Sequence, residues 1–594
     1  MHSFLYRPAS WLGLAFYLVG SVAHAQTLTV NSGALSPVRN ARAASATAPL
    51  VIPFSQSIDP ATANSIKIFS NQYRGQRTAT AVTTGNTVTL TPTAPAAATA
   101  AFRPGETVHV SVPASVQSST GSSAVPYVYG FTVASRGGSG TYLVDSQIST
   151  GPAYESPSGA VTGDIDSDGD LDLLIAHRGG NLVNVQLNDG KAKFSAGVPV
   201  TNIGGGGDLV LGDIDGDHDL DLLVLSFYGT TARIWLNNGS GTFTATAPDV
   251  EIGTYPKDPV LADIDGDADL DLLVANYPSG VVSIRLNNGR GSFSNGGSLA
   301  VVQYQRDMII EDVDNDGDLD MVVSSQGNGS PNTTSYPISV RLNDGNGRFS
   351  GTTELDVPTR FNKMAMGDID ADGDLDLLMC GAFTVLSIPN TGNGSFGSAT
   401  VVNNLGGSID LVPSDVDGDG DLDLLVSGGG GVRQEVRPLL NNGVGSFSAG
   451  ATVSAPISGA PNFLLSGDLD GDDDLDILAV RSNINTVTTV TSVLLNQNSV
   501  ATSTINADSE QLNVFPNPVE TTVGVQVGWP VGADVKQVQA SILNALGQVQ
   551  VRTLLPVQSG KASGILSTQG LAAGVYIVRL QAGTEIVTKQ LVVL

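Results

Sequence analysis

Seven times along this 594-residue chain, five aspartates stand on alternate positions within nine residues, thirty-five carboxylates in all. The first run is Asp164, Asp166, Asp168, Asp170 and Asp172, the second Asp213, Asp215, Asp217, Asp219 and Asp221, and the third Asp263, Asp265, Asp267, Asp269 and Asp271. The fourth is Asp312, Asp314, Asp316, Asp318 and Asp320, and the fifth Asp368, Asp370, Asp372, Asp374 and Asp376. Asp415, Asp417, Asp419, Asp421 and Asp423 make the sixth, and Asp468, Asp470, Asp472, Asp474 and Asp476 the seventh. So many like charges so close together repel unless a cation sits among them, and the pattern is that of a cage for a hard metal. Calcium fits best, because it takes six to eight oxygens at about 2.3 to 2.6 Å and tolerates irregular geometry, whereas magnesium holds on to its waters. We expect up to seven Ca²⁺, one per run. Side-chain oxygens of the first, third, fifth and ninth residues are the expected ligands, with a backbone carbonyl from the seventh, whose own carboxylate faces solvent.

A helix-flanked EF-hand closes with a bidentate Glu at loop position twelve. Here that position is Ile175, Val224, Val274, Val323, Met379, Val426 or Ala479, all apolar. The ninth Asp closes each loop instead, and the Leu-Leu-Val-type run that follows reads as buried strand.

The runs recur about every 50 residues, and each unit repeats one order of parts. An aromatic (Tyr142, Phe194, Phe243, Phe293, Phe349, Phe396 or Phe447) opens an outer strand, a variable loop and inner strand follow, and then come the Asp loop, an apolar strand and a strand ending near Leu-Asn-Asn-Gly. Four short strands per unit and seven units predict an all-β fold, a seven-bladed β-propeller over 141–498. These residues resemble the FG-GAP/VCBS repeats of integrin-type propellers. The resemblance implies that the Asp loop joins the two inner strands of a blade, on the face opposite the ligand face. Gly169, Gly317, Gly373 and Gly420 occupy loop position six, but His218, Ala268 and Asp473 stand there in the second, third and seventh loops. If that position needs a left-handed backbone, these three sites are expected to bind metal more weakly. A lone imidazole among hard oxygens argues against His218 as a zinc ligand.

The formal net charge is -29, which argues against nucleic acid as a partner. Most of that charge lies in the Asp loops, so it reports metal sites more than partners. Cys380, the single cysteine, sits in the apolar run Leu377-Leu378-Met379-Cys380 and reads as packing. No intrachain disulfide can form, and calcium is expected to do the stapling.

Residues 1–25, with Arg7, an apolar run from Trp11 to Val22 and Ala23-His24-Ala25 before Gln26, read as a cleaved signal peptide. No later stretch approaches the ~18 to 20 apolar residues of a membrane helix, so the mature chain is expected to have no transmembrane segment. Residues 26–135 alternate short β-rich runs with turns, and Phe54-Ser55-Gln56-Ser57-Ile58-Asp59, Val88-Thr89-Leu90-Thr91-Pro92 and Pro104-Gly105-Glu106-Thr107-Val108 resemble a bacterial Ig-like β-sandwich. Such a domain implies a spacer or accessory module, with His109 a strand residue. Residues 136–140, Arg136-Gly137-Gly138-Ser139-Gly140, read as a flexible linker, and 499–510 as a polar one. In 511–594, Val514-Phe515-Pro516-Asn517-Pro518, Asn544-Ala545-Leu546-Gly547-Gln548, Leu571-Ala572-Ala573-Gly574-Val575-Tyr576 and Lys589 resemble the C-terminal sorting domain of type IX secretion. By that resemblance the chain engages outer-membrane secretion machinery and ends up secreted or on the cell surface.

Rigidifying clips are the commoner use of extracellular calcium loops, and after signal cleavage only His109, His177 and His218 remain as candidate bases. The reading is a non-catalytic, monomeric binding or adhesion module for an extracellular polysaccharide or protein. A polysaccharide-cleaving propeller such as a lyase is the competing reading. The ligand face is expected in the variable loops, which carry Tyr154, Arg178, Tyr228, Tyr255, Lys257, Tyr277, Tyr304, Arg306, Arg360 and Phe361, the longest running from Gln326 to Tyr336. The seventh unit lacks an outer strand, so Tyr142 to Ser146 is expected beside Thr491 to Leu495 as a clasp.

Overall fold

The computed structural model describes residues 27–594, except 95–99, 150–155, 178–179, 328–334, 358, 382–383, 406, 408, 429–434, 455–460, 484–487, 499–511, 520–524, 531–536, 545–548, 559–560, 570 and 583–584. The expected signal peptide, Tyr154, Arg178, most of the longest variable loop, all of the second linker, and Ala545 to Gln548 lie outside the described residues.

Two runs of period-two sequence fold the first domain as facing sheets. One pairs Leu50–Pro53, Thr87–Pro92 and Ala79–Thr84, and the other Gln76–Arg77, Lys67–Phe69, Thr107–Val112 and Tyr127–Thr132. Alternate residues meet between them: Ile52, Phe54, Ile68, Val88, Leu90, Phe102, Val110, Tyr129 and Phe131 are buried.

Among the described residues seven sheets follow. Their first strands are Pro157–Gly163, Gly206–Gly212, Pro256–Ala262, Gln305–Glu311, Phe361–Gly367, Leu411–Ser414 and Phe463–Gly467. Each runs into an Asp loop and returns antiparallel through a second strand that begins on the ninth loop Asp, from Asp172–His177 to Asp476–Asn483. These second strands are apolar on both faces, for example Leu173, Leu174 and Ile175, because each sheet is covered by the next. Consecutive first strands contact one another, and that of sheet seven contacts that of sheet one, so the sheets close into a ring. Phe361, expected on a variable loop, instead opens the first strand of sheet five and is buried against Met364 and Met379.

Gly138–Ser149 completes sheet seven beside Thr488–Asn498, as the strand count required. The segment read as a flexible linker is thus ordered structure. Gly140 N–H donates to Val416 O at 3.1 Å, and Ser139 N–H to Asn496 Oδ1 at 3.2 Å.

The chain divides into two compact units, Met1–Gln497 and Asn498–Leu594. Strands of the second pair in the order Asn513–Phe515, Val525–Pro530, Lys561–Leu566, Val549–Gln558, Gln537–Leu543, Gly574–Ala582 and Glu585–Val593. Asn517 ties its first segment to the last strand, donating to Gln590 O at 2.6 Å and accepting from Val592 N–H at 2.9 Å.

Candidate metal centres

Each Asp loop is a tight turn whose aspartates organise their own backbone. The first Asp accepts N–H groups across the turn, as Asp213 does from Gly216 at 2.8 Å and His218 at 3.0 Å. The fifth accepts from the seventh, as Asp168 does from Asp170 at 3.0 Å. The ninth joins three elements: Asp221 accepts from Ile214 N–H at 2.9 Å and from Asn237 N–H, at the end of the third strand, at 2.8 Å. All seven loops repeat this strand-end bond, with Asn188, Asn237, Asn287, Asn343, Asn390, Asn441 and Asn496 as the partners. The repeated Asn of the sequence is therefore structural, its side chain also bridging to the preceding sheet, as Asn237 Nδ2 does to Ile165 O at 2.7 Å.

Carboxylate oxygens of the first, third and ninth residues converge within 4.8 Å in loops one, two, three and five, and those of the first, third and fifth in loop four. The third-position oxygens Asp215 Oδ1, Asp265 Oδ1, Asp417 Oδ1 and Asp470 Oδ1 are buried without a hydrogen-bond partner. A buried orphan oxygen is costly unless a cation or proton meets it, so this donor set fits a hard metal. Without one, burial, reinforced by neighbouring carboxylates, pushes Asp164, Asp213 and Asp468 up to about 6, and Asp312 and Asp415 to about 7. At the ninth position burial raises Asp172 to about 8 and Asp271 to about 9 against the opposing pull of backbone N–H donors. Seventh-position carboxylates meet the cap in two loops, where Asp269 pairs with Lys67 at 2.8 Å and Asp421 with Arg42 at 3.3 Å, but the expectation that this carboxylate faces solvent fails in loop seven, where Asp474 is 1% exposed and both its oxygens are buried without a hydrogen-bond partner.

Position six is left-handed in every loop, with φ of +78° at His218, +69° at Ala268 and +72° at Asp473. Position four is left-handed too, and there Ser167, Asn315 and Ala371 carry side chains in loops one, four and five. Six loops thus hold one side chain in a strained backbone, and only loop six, with Gly418 and Gly420, has none. The expectation that loops two, three and seven alone are weakened is corrected: the strain is shared, and loop six is the relaxed one.

The first domain lies over this end of the ring as a cap and touches all seven loops. Gln72 O accepts from Asp164 N–H at 2.8 Å, and Arg74 donates to Ser167 O at 3.2 Å. Gln76 O meets His218 Nδ1 at 3.0 Å, and Ser111 Oγ donates to Asp263 Oδ2 at 2.5 Å. Arg39 donates to Asn315 O at 2.9 Å, Asn40 to Gly373 O at 2.9 Å, Ser135 Oγ to Asp415 O at 2.8 Å, and Arg136 N–H to Asp473 O at 2.8 Å. Phe69, Tyr73 and Val128 of the cap are buried among ring residues such as Ile214, Leu171 and Ile264. The approach is close: a Cβ on Gly317 would lie 2.1 Å from the Tyr127 ring. Five cations, Arg39, Arg42, Lys67, Arg74 and Arg103, face the acidic loops. Nothing local in the first domain's sequence signals this role.

The three histidines are accounted for within this frame. His109 faces Glu311 across the cap boundary at 3.7 Å, His177 is fully buried beside Asn184, and His218 belongs to loop two. Cys380 is buried, and burial pushes its thiol far up.

A family model for an FG-GAP-like repeat matches residues 164–224, 219–274, 263–323, 312–379 and 415–479. The ring is built of FG-GAP-like repeats. Residues 25–133 match a bacterial Ig-like domain, and 513–594 a secretion system C-terminal sorting domain, which marks the chain for type IX secretion to the cell surface or the extracellular space. No curated protein matches the chain. Among solved structures, an Agrocybe aegerita lectin specific for non-reducing terminal N-acetylglucosamine is similar at 22% identity, over 51% of this chain and 80% of that one, with a TM-score of 0.37. BBS1N, solved with ARL6DN, is similar at 14% identity over 61% and 98% (TM-score 0.42), and a Lactobacillus plantarum protein at 12% over 68% and 98% (TM-score 0.38). With TM-scores below 0.5 these likenesses carry no weight for function. Among the described residues no helix is long and apolar enough to cross a membrane.

Proposed function

We propose that the FG-GAP-like ring is a calcium-stiffened, non-catalytic binding module of adhesion type, whose end opposite the Asp loops takes an extracellular polysaccharide or protein. The observation that carries this reading is the cap, which covers the metal-loop end of the ring and not the end that bears the variable loops. Oxygens of the first, third, fifth and ninth aspartates would hold the calcium. Bound there, the ion would neutralise the clustered carboxylates and tie the two strands of each hairpin together. Asp and Asn side chains already hold the turn and the third strand in place, so metal would complete a preformed loop. At the variable-loop end Tyr228 and Tyr255 are exposed, and Tyr277 and Tyr304 stand edge to face at 6.0 Å. Aromatic faces of this kind suit sugars and protein side chains. Of the three histidines, His109 and His218 lie at the capped end and His177 is buried beside Asn184, which supports binding over catalysis.

A glycan array followed by incubation with the bound glycan tests the reading. Retention without new reducing or unsaturated ends, lost in Tyr228→Ala and Tyr255→Ala, is expected. New ends would replace it with the lyase reading.

A further inference from the structure

The seventh Asp loop is built differently from the other six, and the difference begins just past the third strand. Six units carry Asn-x-Gly there, ending at Gly190, Gly239, Gly289, Gly345, Gly392 and Gly443. In each of them the seventh-position carboxylate rests against that glycine, for a Cβ on the glycine would lie 2.4 to 3.2 Å from one of its oxygens. The seventh unit reads Asn496-Gln497-Asn498 instead, and its third strand, Thr488–Asn498, runs on where the others turn. Its seventh-position carboxylate, Asp474, has no such glycine to rest against.

The clasp takes the place of the turn. Asn237 Oδ1 accepts from the next residue, Asn238 N–H, at 2.8 Å, whereas Asn496 Oδ1 takes Ser139 N–H at 3.2 Å. Arg136 N–H donates to Asp473 O at 2.8 Å and the Tyr142 hydroxyl to Leu475 O at 3.0 Å, so the segment holding the clasp is bonded to both chain neighbours of Asp474. Beneath it Asp474 is 1% exposed, while the other six seventh-position aspartates keep partial exposure. Both its oxygens lack a hydrogen-bond partner, and Asp470 Oδ1 in the same loop is a third buried orphan. Among the described residues no other Asp loop has more than one such carboxylate oxygen. Burial, and after it the charges of Asp472, Asp470 and Asp468, push the Asp474 carboxyl up, which places it among the other carboxylates of its loop. Orphans at this depth are costly unless a cation or a proton meets them.

We propose that Asp474 binds the ion of loop seven through its own carboxylate, where the other six loops offer the backbone carbonyl of their seventh residue, and that loop seven is thereby the tightest calcium site of the ring, placed at its seam. The proposal rests on the Asp loops being calcium sites. Calcium's six to eight oxygens leave room for a further carboxylate, and affinity rises with ligand charge and with the rigidity of the frame. Loop seven has more of both, the second through the clasp. Backbone strain does not set it apart, since five other loops also hold one left-handed side chain.

Competition calorimetry against EGTA on the full chain tests this, with Asp474→Asn and Asp145→Asn. Asp145 lies on the clasp strand, paired with Lys193 at 2.5 Å, and its charge reaches Asp470 from outside the loop. The parent is expected to hold one calcium at least tenfold more tightly than the rest. Asp474→Asn should lose that ion and keep the weaker ones, and Asp145→Asn should keep it. Melting separates a ligand from a merely buried acid: Asp474→Asn is expected to melt above the parent in EDTA, where a buried acid is relieved, and below it in calcium. A tight ion that survives Asp474→Asn, or is lost equally in Asp145→Asn, overturns the proposal, as does a shift of the same sign in both melts. Weaker calcium sites with no tight one in the parent overturn it too and leave the calcium reading standing, whereas no bound calcium at all sinks both.

Discussion

Ser111 of the cap donates its hydroxyl hydrogen to Asp263 Oδ2 of the third loop at 2.5 Å, although 152 residues separate them. A first-position aspartate is thereby shared between a metal site and the domain boundary. The same boundary makes hydrogen bonds with every other loop, so loop order and cap docking are coupled. Chelation is therefore expected to loosen the cap before the ring unfolds. Hydrogen exchange should rise with EDTA across Lys67–Phe69 and Gln76–Arg77, while Thr87–Pro92, inside the cap, stays protected. Equal protection with and without calcium would show that the cap docks independently of metal.

Calcium should also dominate the stability of the ring. A site with free calcium at 100 times its dissociation constant stabilises the folded state by about 2.7 kcal/mol, and up to seven such sites are available. Melting in EDTA is expected to fall by many degrees for the first unit and little for the isolated 511–594 domain. An unchanged profile would remove the calcium assignment.

The sign of the pH effect follows from burial. With folded-state values of about 6 to 9 against ~3.9 unfolded, the metal-free loops bind more protons folded than unfolded. Metal-free stability is therefore greatest in acid and declines as pH rises from about 4 through 8. The drop in melting temperature caused by EDTA is expected to be larger at pH 8 than at pH 5. A drop of the same size at both would show that the carboxylates ionise without cost.

How much of this was legible in the sequence depended on the range of the interaction. The Asp loops, the strand after each and the clasp at Tyr142 follow from local pattern and from counting strands. The cap does not, because Phe69 and Val128 look like ordinary strand residues and only tertiary contact sends them into the ring. Phe361 misled for a related reason: its neighbours Arg360 and Asn362 are polar, yet its own position is the first inward place of a strand. Backbone strain was half visible, at position six but not at position four, because the glycines of one position offset side chains at the other.

That exchange makes a prediction about loops three and five. Ala268→Gly and Ala371→Gly each remove a Cβ from a left-handed backbone, at +69° and +67°, and each should gain on the order of 1 kcal/mol with tighter calcium binding. The opposite change, Gly266→Ala, should be severe, because its Cβ would lie 2.3 Å from Pro126 of the cap as well as in a left-handed turn. Calorimetric calcium titrations of the three variants would decide it, and an unaltered affinity in Ala371→Gly would show that position four is free of strain.

The clasp carries the remaining prediction. Tyr142 is 4% exposed, packs with Val416, Leu464, Ile477 and Leu494, and donates its hydroxyl hydrogen to Leu475 O at 3.0 Å. It sits on the one strand that joins the start of the ring to its end, so its loss strikes closure as well as packing. Tyr142→Phe removes only the hydrogen bond and should cost about 1 kcal/mol. Tyr142→Ala empties a large buried site, for which about 3 to 5 kcal/mol is typical. Because Gly138–Ser149 supplies an outer edge of sheet seven, that variant should also expose Thr488–Asn498 as an open edge, a template for pairing with other chains. Light scattering on warming should therefore rise earlier in Tyr142→Ala than in an equally destabilised variant of a middle sheet, such as Ile284→Ala. Matching onsets would show that the ring holds its closure without this strand.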